Sequence, residues 1–158
     1  MEKDKDDRGW KDRDQASNLR FYFQSFDFVF YLHLLLTTLT IINTLSLALQ
    51  CKDQDIVNAM KCLKSTRLHL CNLRRDGWGN LLDEVNEFCE MNDIARLEME
   101  DAYIDPKKCR KASGITNKHH YKADCFNEVI KWLVQELYSR FDETSSWLLV
   151  CSVAFNPR

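Results

Sequence analysis

The stretch FDFVFYLHLLLTTLTIINTLSLAL, residues 26–49, decides the fold. After its second residue it contains no acidic residue, lysine or arginine. Four polar side chains recur at steps of four, three and four, which places them on one helix face: His33, Thr37, Thr40 and Thr44. A polar seam between broad apolar flanks is typical of a helix packed inside a bundle. We therefore predict a buried core helix over this stretch.

The same stretch supports one alternative. Residues 28–49 are long enough and apolar enough to cross a bilayer, so a hydropathy scan also flags a single membrane span. The polar seam favours the core helix, and the membrane-spanning protein remains as an alternative.

The composition of the whole chain agrees with a helical protein. Among 158 residues there are only 4 glycines and 2 prolines, fewer than the turns of a sheet protein require. The net charge of −2 argues against a surface that coats nucleic acid along its whole extent. The predicted fold class is all-α, a bundle of about five helices.

Three further apolar patterns and one terminal piece supply the other helices. The first predicted helix has Asp53 as its N-cap and ends at Asp76-Gly77. Its apolar stripe, which is interrupted at Arg67, comprises Ile56, Met60, Leu63, Leu70 and Leu73. A shorter helix covers Asn80–Met91.

A long helix covers Asn117–Phe141, with Asn117 as its cap. Two apolar stripes predict that this helix has more than one neighbour. The first stripe comprises Phe126, Ile130, Leu133, Leu137 and Phe141, and the second comprises Tyr121, Cys125, Val129 and Trp132. A last apolar piece runs over 147–155.

The remaining segments define the domain organisation. Residues 1–20 carry six acids and six bases with almost nothing to bury, so residues 1–23 are predicted to be a charged, disordered tail. Residues 24–158 form the helical domain. Between its helices the apolar pattern breaks, which predicts a long loop around 92–116.

The seven cysteines do not predict a metal site. No C-x-x-C pair occurs, which excludes a zinc ribbon or finger within the chain. Reduced thiols, several of them packed as small apolar residues, are the simplest interpretation. Phosphate-loop, dinucleotide, hydrolase and metalloprotease motifs do not occur either. We therefore predict no cofactor, no metal and no small-molecule substrate.

The segment GITNKHHYKADCF, residues 114–126, raises a question of its own. On an α-helix, His119 and His120 point about 100° apart, whereas His120 and Asp124 share a face. That pair supplies only two ligands of the three or four that a metal site needs. A nucleophilic Cys125–His pair is a weaker hypothesis still, because no pocket is predicted around it. The favoured interpretation is a helix start in which His120 and Asp124 hydrogen-bond.

Two adjacent segments have opposite charge. Residues 81–105 hold nine acids and one base, and residues 106–123 hold six bases and no acid. These bases are the candidates for contacts to DNA phosphates: Lys107, Lys108, Arg110, Lys111, Lys118 and Lys122. The alternative is that they only neutralise the acidic segment. The run PKKCRK also resembles a short nuclear-import signal.

Four blocks in series resemble one protein family. QSFDFVFYLHLL, ALQCKDQDIVNAM, DGWGNLLDEVNEFCE and ITNKHHYKADCFNEVI…QELYSRF are similar to blocks of hAT-superfamily transposases and their domesticated relatives. These include zinc finger MYM-type protein 1-like and TTF-type zinc finger proteins, which are abundant in plants. The resemblance runs from about Gln24 to Arg158, and no single block is diagnostic.

The resemblance implies a function for the chain. The catalytic core of that family is an RNase H-like fold with three acids for two metal ions, interrupted by a helical insertion, and the four blocks resemble that insertion. The zinc finger, both halves of the core and the dimerisation segment then lie outside this chain, and no acid here matches a catalytic acid. The expectation is a nuclear, non-catalytic fragment that supports DNA binding and assembly of the core.

Two alternatives to that expectation remain open. The first is a helical module that binds another protein or a second copy of itself. The second is the single-span membrane protein described above. Its expected partners are DNA, the remainder of a transposase or a second copy, and the alternative location is the cytoplasm.

Overall fold

The computed structural model describes residues 15–51, 56–104 and 114–141. Four α-helices lie in these ranges: α1 (Phe26–Gln50), α2 (Ile56–Asp76), α3 (Trp78–Met91) and α4 (Glu128–Arg140). A π-helical segment, His119–Asn127, runs directly into α4. Residues 15–23 are also helical. Within these ranges the extended pairing is limited to an isolated antiparallel bridge between Ala102 and Thr116.

The predicted all-α class with about five helices is therefore confirmed. One helix differs from the prediction. Residues 15–23 are helical, whereas the sequence predicts that they belong to the disordered tail. The predicted last piece, 147–155, lies outside the described residues, as do residues 1–14 of the tail and the proposed cap Asp53.

Helix α1 starts at a well-formed cap. The Ser25 side chain accepts a hydrogen bond from the Phe28 amide at 3.2 Å, and Asp27 places a negative charge in the first turn. Both features stabilise a helix N-terminus, whose first amides otherwise have no partner. The helix then presents one buried stripe to the bundle: Phe26, Val29, Phe30, Leu34, Thr38 and Leu45.

The core lies where α1 packs on α2 and α3, and where α2 packs on α4. Its buried side chains are Phe26, Val29, Phe30, Leu34, Leu45, Leu63, Leu70, Leu81, Val85, Cys89, Tyr121, Phe126, Ile130 and Leu137. The predicted α2 stripe and the first stripe of the last helix both contribute to it. Trp132, which the second predicted stripe placed inside, is 70% exposed, so that part of the prediction is wrong.

Gly77 joins α2 to α3 with a single residue between them. The predicted stop of α2 is confirmed, but α3 begins at Trp78, two residues before the predicted start. A Cβ at this glycine would lie 2.5 Å from Cδ1 of Leu73 and 2.7 Å from the Leu73 carbonyl oxygen. Its φ of −81° is ordinary, so the glycine is required for close approach and not for an unusual backbone angle.

Arg67, which interrupts the α2 stripe, caps α4. Its Nη2 donates to the carbonyls of Leu137 and Phe141, each at 2.7 Å. Its guanidinium lies 4.1 Å from the centre of the Tyr138 ring. The last carbonyls of a helix have no partner inside the helix and carry partial negative charge, so a cation stabilises them. A polar residue inside an apolar stripe thus joins two helices.

The segment that precedes the π-helical segment is held by backbone bonds. The amides of Asn117 and Lys118 donate to the carbonyls of Asp101 and Met99, each at 2.8 Å. The Asn117 side chain donates to the Glu98 carbonyl at 2.8 Å. The predicted cap is therefore wrong: the hydroxyl of Thr116 accepts from the His119 amide at 3.2 Å, and Thr116 is the capping residue.

Candidate functional site

The backbone of the π-helical segment changes which side chains meet. In an α-helix residues four apart share a face, whereas in a π-helix the hydrogen bonds join residues five apart. Accordingly His119 Nε2 lies 3.6 Å from Asp124 Oδ1, and His120 Nε2 lies 3.7 Å from Cys125 Sγ. The predicted pairing of His120 with Asp124 is wrong, because it assumed the α-helical period.

The thiol of Cys125 lies in a small polar–aromatic cluster between two helices. The Tyr31 hydroxyl on α1 lies 3.3 Å from its sulfur. The Tyr103 ring stacks on His120, with centroids 3.8 Å apart and an interplanar angle of 14°. The cluster comprises Tyr31, Tyr103, His120 and Cys125, and it connects the first helix, the loop and the π-helical segment.

The electrostatics of this cluster oppose a nucleophilic thiol. Burial raises the pKa of Cys125, and the hydrogen bond from Tyr31 lowers it only in part. A reactive cysteine needs the opposite shift, because the thiolate is the nucleophile. Burial also raises the pKa of the Tyr31 hydroxyl, and its hydrogen bond to Cys125 raises it further, so this phenol stays protonated. The cluster is therefore a packed contact around a protonated thiol and a protonated phenol.

A second pair joins the same two elements. The Tyr121 hydroxyl donates a hydrogen bond to Oδ1 of Asp27 at the start of α1. Burial raises the pKa of Tyr121, and the bond to Asp27 raises it further. The Tyr121 ring contacts Phe26 and Phe30 edge to face, with centroids 5.3 Å and 4.9 Å apart. Such contacts add roughly 0.5–1.5 kcal/mol per pair beyond area burial.

The part of the chain that the structure describes holds no cluster of three His, Cys, Asp or Glu side chains that could bind a metal ion. Each histidine of the π-helical segment has a polar side chain near its Nε2 atom, Asp124 for His119 and Cys125 for His120.

The six candidates for DNA contact divide into two groups. Lys107, Lys108, Arg110 and Lys111 lie outside the described residues. Lys118 pairs with Glu100 at 2.9 Å, and the Lys122 ammonium lies 6.0 Å from the centre of the Trp78 ring. The ion pair between Lys118 and Glu100 agrees with the alternative interpretation, in which these bases neutralise the acidic segment 81–105.

Sequence analysis predicted that α1 is buried, and the structure buries only one side of it. Four leucines on the opposite side are between 51% and 59% exposed: Leu35, Leu36, Leu39 and Leu47. We call these residues the outer leucine face. Isolated exposed leucines are ordinary on a protein surface, whereas several on one helix mark an interaction site. The spacing of the polar residues predicts a seam within the bundle, and it does not distinguish such a seam from the border of an exposed face.

The polar residues beside the outer leucine face are turned onto the helix itself. The Thr40 hydroxyl donates to the Leu36 carbonyl at 2.7 Å, and the Thr44 hydroxyl donates to the Thr40 carbonyl at 3.0 Å. Buried Thr38 does the same toward Leu34 at 2.8 Å. These hydroxyl donors are already used within the helix, so the threonines add no unpaired donor beside the face.

Comparison of the chain with family models, with curated proteins and with solved structures finds no match.

Helix α1 also has the length and composition of a membrane span. Its 25 residues include an 18-residue window with a mean hydropathy of 1.7, of which 17% is buried in the bundle. Core helices of soluble proteins have the same properties when they are long and apolar. The outer leucine face belongs to the part of this window that the bundle leaves uncovered.

Proposed function

We propose that this chain is a non-catalytic helical interaction module that docks on another protein surface through the outer leucine face. The proposal keeps the resemblance to hAT-type transposases as its context, in which a helical insertion packs on the RNase H-like core and acts in the nucleus. The observation that carries it is the row of four half-exposed leucines on one side of α1.

The energy of burying this face sets the kind of partner. Burying one leucine side chain contributes about 1.5–3 kcal/mol, so four that are already half-buried contribute about 3–6 kcal/mol. Association costs about 4–15 kcal/mol in lost freedom of motion. The face alone therefore supports a weak complex, and a stable one needs a partner surface that is apolar as well as further contacts around it.

A protein partner fits the rest of the bundle better than a bilayer. The inner side of α1 is packed against α2 and α3. Lys61 and Lys64 are exposed on α2, so a bilayer that held α1 with its neighbours would also meet these charges. A lysine near the bilayer centre costs about 2.5–3.5 kcal/mol on insertion scales. The membrane span is the second candidate, favoured by the length and hydropathy of α1.

Sedimentation velocity over a range of protein concentrations tests the interaction module. We expect the wild-type chain to self-associate weakly through paired outer leucine faces, and the double variant Leu36→Glu/Leu39→Glu to remain monomeric. Leu68→Glu is the matched control, because Leu68 is 60% exposed on α2 and the substitution is chemically the same. Equal association of both variants would remove the outer leucine face from the proposal.

Flotation with phosphatidylcholine vesicles separates the two candidates. An interaction module stays in the soluble fraction, whereas a spanning protein floats with the lipid and resists extraction by carbonate. The far-UV circular dichroism of each variant must match that of the wild type, so that a loss of association is not a loss of fold.

The proposed support of DNA binding has its own test. The variant Lys107→Glu/Lys108→Glu/Arg110→Glu/Lys111→Glu should bind a DNA duplex more weakly and with a flatter dependence on salt, because phosphate contacts release counterions. Unchanged binding and unchanged salt dependence would remove these residues as phosphate contacts.

A further inference from the structure

A cleft of about 450 Å³ opens beside the start of α1, away from the outer leucine face. Three parts of the chain form its walls: the N-terminus of α1, residues 95–104 and the entry to the π-helical segment. The lining residues that carry chemistry are Phe26, Asp27, Asp101, Tyr103, Asn117 and Tyr121. A volume of this size accommodates a small organic molecule or one long side chain.

The described residues that line the cleft carry charge of one sign. They include Asp27 and Asp101, and no lysine, arginine or histidine is among them. Lys118 lies next to lining residue Asn117 in the chain, but its ammonium is paired with Glu100 at 2.9 Å. The two carboxylates attract cations.

Aromatic rings complete the walls. The Tyr121 ring lies edge to face with Phe26 at 5.3 Å and is nearly perpendicular to Tyr103 at 6.3 Å, with an angle of 87°. Tyr121 is 1% exposed and Phe26 is 5% exposed, so these rings close the cleft as a packed apolar wall.

Asn117 contributes a buried polar group to the same cleft. Its side chain is among the few buried polar ones that the structure describes, with 6% exposure. The amide nitrogen donates to the Glu98 carbonyl at 2.8 Å, which fixes the orientation of the amide. An ammonium group, which has three donors and no acceptor, matches the carboxylates and the amide oxygen of the lining.

We propose that this cleft binds the cationic head of an organic amine, an ammonium group on an apolar stem. The carboxylates of Asp27 and Asp101 neutralise the head, and the apolar residues of the lining, Leu97 and Ile104 among them, accept the stem. A bare metal ion fits less well, because the lining offers two carboxylates and an aromatic, largely apolar wall. The amine is either a free small molecule or the lysine side chain of another protein.

Titration with n-butylammonium chloride, followed by ¹⁵N–¹H NMR of the full chain, tests the proposal. We expect shifts in the amides of residues 24–27, 101–104 and 117–121, and no such shifts with n-butanol, which has the same stem without charge. Asp101→Asn should weaken binding about tenfold, the loss expected for one hydrogen bond to a charged group.

Asp83→Asn is the matched control, because Asp83 is an exposed acid on α3 outside the cleft and its loss should leave the affinity unchanged. Asp27→Asn is a second variant, interpreted only if its circular dichroism and amide spectrum show the wild-type fold. Equal shifts with butanol, equal weakening by Asp83→Asn, or no shifts at 100 mM amine would each overturn the proposal.

Two peptides distinguish the sources of the amine. A capped Gly-Lys-Gly peptide that binds more tightly than butylammonium, while its norleucine counterpart does not bind, assigns the cleft to a lysine of a partner protein. Binding of butylammonium without binding of the lysine peptide assigns it to a free amine. Both outcomes are independent of the outer leucine face, so the interaction module is not tested by either.

Discussion

The sulfur of Cys125 lies 3.7 Å from Nε2 of His120, five residues earlier in the chain. The same spacing joins His119 to Asp124. Both pairs follow from the π-helical backbone, and neither exists at the α-helical period. The consequence for chemistry is that the cysteine and histidine meet inside a cluster that also holds Tyr31, where burial keeps the thiol protonated.

Slow alkylation of Cys125 is the first prediction. Its half-buried thiol, whose pKa is raised, should react with iodoacetamide more slowly than that of exposed Cys71, because little thiolate is present. In Tyr31→Phe the thiolate loses its hydrogen-bond donor, so the pH midpoint of labelling should rise further. Peptide-resolved mass spectrometry across pH 7–10 measures both effects, and fast labelling of Cys125 at pH 7 would contradict the protonated state.

The second prediction concerns alkaline pH. The pKa of Tyr121 is raised above the ordinary value of 10.0 in the folded state, so the folded protein holds this proton more tightly than the unfolded chain. The resulting stability is fully present below pH ~10 and is lost as pH rises above it. Urea unfolding should show a steeper loss above pH ~10 in the wild type than in Tyr121→Phe. Identical slopes would mean that Tyr121 does not ionise on unfolding.

The same substitution should cost stability at neutral pH. Tyr121→Phe leaves the Asp27 carboxylate without the hydroxyl that it accepts from, which costs about 1–3 kcal/mol in a partly buried site. Tyr22→Phe is the control, because Tyr22 is exposed and its ring contacts stay in place. The midpoint of urea unfolding at pH 7 measures the difference.

Removing the Arg67 side chain should loosen the contact between α2 and α4. Arg67→Met keeps much of the apolar stem but loses both hydrogen bonds to the Leu137 and Phe141 carbonyls. We expect a loss of about 2–3 kcal/mol in the free energy of unfolding, in the range for bonds to charged groups. Arg75→Met removes an exposed arginine of the same helix and should change stability by less than about 0.5 kcal/mol.

Two glycines near one another give a matched comparison. Gly77→Ala places a methyl group 2.7 Å from the Leu73 carbonyl oxygen and should destabilise the fold by about 1–3 kcal/mol. At Gly79 an added Cβ meets nothing within 4 Å, and this glycine lies inside α3. Gly79→Ala should therefore stabilise the fold by about 0.5–1 kcal/mol. Thermal melts followed by circular dichroism measure both, and equal effects would contradict the close approach at Gly77.

The sequence predicted most of the architecture because the apolar spacing is strong. The structure buries residues of the predicted stripes of α2 and of the last helix. It also ends α2 at Asp76, as predicted. The cap at Thr116 was missed because Asn117 is the better capping residue by type, while the structure uses its amide on Glu98. Propensity does not report such a tertiary bond.

The candidate site was much less predictable than the fold. The period of an α-helix cannot reveal a π-helical turn, so the contact of His120 with Cys125 had no signal in the spacing. The contact of Arg67 with α4 did have a signal in the sequence, because a charged residue in an apolar stripe needs a partner. The outer leucine face had a weaker signal: leucines surround α1, and only the contacts of α2 and α3 decide which of them are covered.

The π-helical segment His119–Asn127, which has wider turns than an α-helix, also affects where the chain can lose a residue. A one-codon deletion there would convert the wide turn into an ordinary one and leave α4 in phase with α2. The same deletion inside α4 would bring the ammonium of Lys131 into the buried place of Ile130, which a folded core does not tolerate. Along this helix, the tolerance for a lost codon is therefore concentrated in the π-helical segment, at its positions other than buried Tyr121 and Phe126.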